Sequence, residues 1–121
     1  MRYSKNTLSA VLAIAALTVT APLSAHADLV KSSPAAQASV TAPRTLLVTF
    51  NEKLIPAFSK LELTMVGNAM TIPVKTRLSR DGKTLIGTPE RAPMKGPWSL
   101  KWTAATSDGH REQGTITFRV K

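Results

Sequence analysis

Apolar and polar residues alternate along most of the chain with a period of two. This spacing turns one face of a β-strand to a core and the other to water. In residues 45–50, Leu46, Val48 and Phe50 share one side, and in residues 60–65 Leu61, Leu63 and Met65 do the same. The rhythm continues through residues 71–78, where Pro73 lacks the N–H that a central ladder position needs, and through residues 98–104 and 115–121. Residues 28–32 and 84–88 are shorter strand candidates. The breaks between them are turn-forming: Ser33-Pro34, Ala42-Pro43, Gly67-Asn68, Asp81-Gly82, Lys95-Gly96-Pro97 and Asp108-Gly109. Asp81-Gly82 stands where a hairpin is expected. No stretch keeps a helical period beyond a turn or two, although Ile55-Pro56-Ala57-Phe58 suits a single turn. Seven short strands predict an all-β domain, a seven-stranded Greek-key β-sandwich with one wet face on each sheet. Trp98 and Trp102 are expected between the sheets, and a small closed barrel is the alternative architecture.

The start of the chain breaks this pattern. Arg2 and Lys5 precede an apolar run over about residues 8–19, followed by Thr20-Ala21-Pro22 and small residues, the plan of a secretory signal peptide. The run falls short of the roughly 20 residues that a membrane-spanning helix needs, and no later segment is longer. The expectation is a signal peptide over residues 1–25 and one soluble, exported domain over residues 26–121. Two cuts are open. Cleavage after Ala27 puts Ala25 and Ala27 at the recognition positions and starts the domain at Asp28, and generic signal rules slightly favour it. Cleavage after Ala25 starts the domain at His26.

Composition removes several classes of chemistry. The chain has no cysteine, which excludes disulfides, thiolate metal sites and cysteine nucleophiles. No nucleophile elbow is present, and Glu52, Glu62, Asp81, Glu90 and Glu112 form no paired-acid signature, so an enzyme is not expected. Without Arg2 and Lys5 the domain carries 14 basic residues against 7 acidic ones. The basic residues are dispersed and lack interleaved aromatics, which argues against a nucleic-acid partner. Such a charge suits an acidic protein partner or an anionic membrane surface.

Metal chemistry rests on two histidines, His26 and His110. Asp108 and His110 flank Gly109, so in extended backbone their side chains would face the same way and could converge on one ion. The plainer reading of the same residues is a hairpin turn carrying an exposed histidine. A first-residue His26 would add a chelate of its α-amine and Nδ1. These groups ionise at about 7.7–8.0 and about 6.5, so a divalent ion can displace their protons near neutral pH. With an Asp108 oxygen and a His110 nitrogen the set has three nitrogens and one oxygen. That set suits tetragonal Cu(II), while zinc also fits the ligand types. Met65, Met70 and Met94 are too scattered for a Cu(I) cluster, and Met65 falls on the apolar side of its strand.

The chain resembles the periplasmic copper-resistance protein C family, the CopC-like domains of bacteria. The resemblance is carried by His26-Ala27-Asp28-Leu29-Val30, Ser32-Ser33-Pro34-Ala35, Leu47-Val48-Thr49-Phe50-Asn51-Glu52 and Phe58-Ser59-Lys60-Leu61. It continues through Gly96-Pro97-Trp98-Ser99-Leu100-Lys101-Trp102, Ser107-Asp108-Gly109-His110 and Gly114-Thr115-Ile116-Thr117-Phe118-Arg119-Val120. It implies an immunoglobulin- or cupredoxin-like sandwich in the periplasm, without catalytic activity, that binds one Cu(II) per mature chain. It also implies cleavage after Ala25, with His26, Asp108 and His110 as ligands. The expected role is to hold or deliver copper as a monomer, alongside an inner-membrane copper transport protein. Asp28 departs from members with a histidine at the third mature position. The stretch Met65-Val66-Gly67-Asn68-Ala69-Met70 is poorer in methionine than the Cu(I) loops of some members, so a Cu(II)-only protein is expected. Two other readings stay open. One is a protein-interaction module with incidental metal binding. The other is a copper oxidase of the polysaccharide monooxygenase type, for which no flat aromatic substrate face is evident.

Overall fold

Strands form where the alternation predicts them, and their inward residues meet between two sheets. A computed structural model describes residues 27–121. In chain order the elements are β1 (Leu29–Ser33), β2 (Ser39–Val40), β3 (Leu46–Phe50), a 3-10 turn (Pro56–Phe58), β4 (Lys60–Met65), β5 (Thr71–Ile72), β6 (Val74–Leu78), β7 (Thr84–Pro89), β8 (Gly96–Ala105) and β9 (Arg111–Val120). One sheet has the order β1-β3-β7-β6 and the other β2-β9-β8-β4-β5. The two sheets are separate, so the architecture is the sandwich and not the closed barrel.

Nine strand segments replace the expected seven. The predicted strand over residues 71–78 divides at Pro73: β5 pairs with β4 in one sheet, and β6 pairs with β7 in the other. Pro73 has no N–H to donate but its carbonyl still accepts from Glu90, so the chain changes sheets where the ladder is already interrupted. The second addition, β2, is two residues long and runs parallel to the end of β9. A pair of residues leaves no readable alternation. β8 and β9 also outrun their expected bounds, pairing from Gly96↔Val120 to Ala105↔Arg111. Ladder hydrogen bonds hold the weakly patterned ends of this hairpin. The Asp81-Gly82 turn joins β6 and β7 as expected, with Gly82 at φ 75° and the Gly82 N–H donating to the Ser79 carbonyl.

Leu46, Val48, Phe50 and Leu85 face Leu61, Leu63, Trp98, Leu100, Ile116 and Phe118 across the interior, all of them buried. Each such side chain contributes roughly 1.5–3 kcal/mol by leaving water. Trp98 is fully buried and its Nε1–H donates to the Met94 carbonyl at 2.8 Å, so its one polar atom is satisfied. Trp102 meets Phe50 edge-on, with ring centroids 4.9 Å apart and planes at 69°. Its indole lies over Gly114, the residue opposite it on β9. No helix among the described residues is long and apolar enough to cross a membrane.

Candidate metal centre

The β8–β9 hairpin closes through residues 106–110. The Thr106 N–H donates to the His110 carbonyl at 3.0 Å, and the Gly109 N–H donates to the Thr106 carbonyl at 3.1 Å. Gly109 adopts φ 88°, a conformation that glycine enters without steric cost. Asp108 and His110 therefore do converge, but not through extended backbone as the sequence reading assumes. The turn folds one side chain onto the other, and His110 Nδ1 lies 2.9 Å from Asp108 Oδ2.

Asp108 is held from three directions. Its Oδ1 accepts from the Thr106 hydroxyl at 2.5 Å and from the His110 backbone N–H at 3.1 Å, while Oδ2 faces the imidazole. Donation from Thr106, then from the His110 side chain and backbone, lowers the Asp108 pKa to about 2. The carboxylate is thus an acceptor at neutral pH. An acceptor beside Nδ1 selects the tautomer with the proton on Nδ1 and the lone pair on Nε2. In this arrangement Asp108 orients His110, and a direct Asp108–metal bond would trade against the Nδ1 contact. The His110 side chain is 53% exposed and that of Asp108 is 35% exposed, so the pair is reachable from solvent.

The segment over residues 51–59 brings the start of the described chain to the same end of the sandwich. The Asp28 N–H donates to Asn51 Oδ1 at 2.7 Å, and the Asn51 N–H returns a bond to the Asp28 carbonyl at 3.1 Å. Four residues on, the Ile55 N–H donates to the Ala105 carbonyl at 2.8 Å, and the Ala105 N–H donates to Ser59 Oγ at 3.1 Å. Four residues of chain span at most about 14 Å, which bounds the distance between the two attachments. Ala27 is buried in the core beneath this end.

His26 lies outside the described residues. Among the described residues no group of three or more His, Asp or Glu side chains could hold a metal ion. Arg111 places its guanidinium over the Phe58 ring, 5.7 Å from the centroid. Met65 and Met70 are half-buried against the core, and Met94 is exposed. Sequence reasoning missed Thr106 and Asn51. The first had a signal in its position two residues before Asp108, where a hydroxyl can reach the carboxylate. The second had only its place at the end of β3.

These features define a class: a small two-sheet sandwich with an ionised carboxylate–imidazole pair on a hairpin loop, beside the point where the chain enters. The model for the CopC domain matches residues 29–121. Copper resistance protein C of Xanthomonas campestris pv. juglandis is 39% identical over 117 residues, covering 92% of each chain. Copper resistance protein C of Pseudomonas syringae pv. tomato is 32% identical over 113 residues, covering 88% of this chain and 90% of that one. The crystal structure of PcoC, a methionine-rich copper resistance protein from Escherichia coli, superposes with a TM-score of 0.75 at 34% identity over 80% of this chain and 100% of that one. The chain belongs to the CopC family of copper-resistance proteins. As a member it is a periplasmic, non-catalytic protein of copper homeostasis with an immunoglobulin-like sandwich fold.

Proposed function

We propose that the exported chain begins at His26 and binds one Cu(II), which it holds or passes on in the periplasm. In this reading the His26 α-amine and Nδ1 chelate the ion, His110 supplies a third nitrogen through Nε2, and Asp108 completes the site. Asp108 does so by orienting His110 and by placing negative charge beside the cation. The observation that carries the reading is the Asp108–His110 pair at the end of the sandwich where the described chain starts, tied there by Asn51 and Ile55. Copper is cargo here, and an inner-membrane copper transport protein is the proposed recipient or donor. The protein acts as a monomer.

Intact mass of the exported protein decides the first residue. Competition titration with Cu(II) then tests the ligands. His26→Ala and His110→Ala should each abolish tight binding while leaving the far-ultraviolet dichroism of the sandwich intact. Affinity should fall between pH 7 and pH 5, because protons compete for the amine and both imidazoles. Cu(I) should find no tight site, since Met65 and Met70 pack against the core and Met94 stands apart. Tight Cu(II) binding by a chain starting at Asp28, or by both alanine variants, would overturn the assignment.

A further inference from the structure

On the outer face of the five-stranded sheet, Lys60 of β4, Thr103 of β8 and Gln113 of β9 stand in one row across three paired strands. Arg111, two residues before Gln113, shares that face by strand alternation, and Glu112 between them turns to the other. The segment over residues 55–59 is pinned to Ala105 and carries Phe58 over the end of the row. The result is a hollow of about 270 Å³ with Thr103 in its lining, Lys60, Arg111 and Gln113 around it, and the Phe58 ring as one wall. Thr103 is 4% exposed, and among the described residues its Oγ1 is the buried side-chain oxygen that lacks a hydrogen-bond partner. Buried hydroxyls are ordinarily satisfied. This one borders a hollow ringed by two cations and an amide.

We propose that this hollow is a carboxylate socket that receives an acidic side chain from a protein partner. Two positive groups and neutral donors around a depression suit an oxyanion. Glu62 Oε1 lies 3.3 Å from Lys60 Nζ, but both side chains of that pair are well exposed. Such a pair is weak and yields its lysine readily. The apolar wall selects among anions. Phe58 is 56% exposed and lies under the Arg111 guanidinium, so the socket offers an aromatic surface beside its charges. A peptide with an apolar residue next to its carboxylate covers both, whereas a bare inorganic anion covers only one. The excess of 14 basic over 7 acidic residues in the domain favours the same partner. Phe58 and Arg111 also border the hollow of about 240 Å³ that reaches His110. An occupant of the socket would therefore sit beside the loop assigned to copper. That juxtaposition, though not the socket itself, rests on the copper-binding reading.

The test is a nuclear magnetic resonance titration of the metal-free, ¹⁵N-labelled exported chain with acetyl-Phe-Glu-amide, acetyl-Phe-Gln-amide and sodium phosphate. The glutamate peptide should shift the amides of Lys60, Thr103, Arg111 and Gln113 saturably. The glutamine peptide should bind at least about tenfold more weakly, as loss of charge-assisted hydrogen bonds requires. Phosphate should not reach saturation at those amides. Thr103→Val removes the hydroxyl at constant shape and Arg111→Gln removes the charge. Each should weaken glutamate-peptide binding about tenfold. Equal binding of both peptides, undiminished binding by both variants, or phosphate binding as tightly as the glutamate peptide would overturn the proposal. Cu(II) titration of Thr103→Val should match the parent, so failure of the copper reading and failure of the socket are separately visible.

Discussion

Gly114→Ala tests the packing that sets the interior spacing of the sandwich. A methyl carbon on Gly114 would lie 2.3 Å from Cζ2, 2.5 Å from Cε2 and 2.8 Å from Nε1 of Trp102. These are atoms of a rigid ring, so no terminal rotamer change relieves the clash. The ring has little room to retreat, because it is 8% exposed and its edge already meets Phe50. Overpacking of this kind costs about 1–3 kcal/mol. The reduced freedom of the unfolded alanine chain offsets roughly 0.4–1 kcal/mol of that. The approach is closer than real side chains show, which places the net loss toward the upper part of a range of about 1–3 kcal/mol. Urea unfolding followed by far-ultraviolet dichroism measures it. The control is Trp102→Leu, which removes the three clashing atoms and costs less than the ~3–5 kcal/mol of truncating a tryptophan to alanine. In that background Gly114→Ala should be neutral or slightly stabilising, giving a coupling of about 1–3 kcal/mol. An equal loss in both backgrounds would refute the reasoning, since it would place the crowding somewhere other than the indole.

Two further outcomes follow from the loop ties. Asn51→Ala deletes the acceptor for the Asp28 N–H but keeps the reverse backbone bond. It should cost about 0.5–1.5 kcal/mol, speed hydrogen exchange at Asp28 and weaken Cu(II) binding. Unchanged exchange and affinity would mean that the tie does not position the chain start. In the β6–β7 turn, the Ser79 hydroxyl and then the Lys83 N–H hold the Asp81 carboxyl below its usual value of 3.8. A carboxyl lowered in the folded state contributes stability that is present above the unfolded value and lost as pH falls through the folded one. Ser79→Ala should raise the carboxyl-carbon titration midpoint of Asp81, and an unmoved midpoint would remove the hydroxyl as the cause.

Alternation alone identified the inward residues of β3, β4 and β8, because a period of two is a property of consecutive side chains and needs no knowledge of neighbours. Leu46, Val48, Phe50, Leu61, Leu63, Trp98, Leu100 and Trp102 are buried as that pattern requires. The Asp81-Gly82 turn was legible for the same reason, being a local conformational preference. The exchange of sheets at Pro73 was half legible. Proline marks the missing donor, but which sheet each flank joins depends on distant strands. The parallel pairing of β2 with β9 left no trace in the sequence, since two residues carry no period and their partner lies about eighty positions away.

The candidate site divides along the same line. Its residue types, Asp108 and His110 on either side of a glycine, were visible as spacing. Their meeting came from a hairpin turn with Gly109 in a left-handed conformation and from the Thr106 hydroxyl that anchors the carboxylate. The sequence by itself determined the strands, the core faces and the chemical inventory, all of which follow from local order. Tertiary structure alone decided that Asp28 and Ala105 share one end of the sandwich, because the folded segment over residues 51–59 bonds to both.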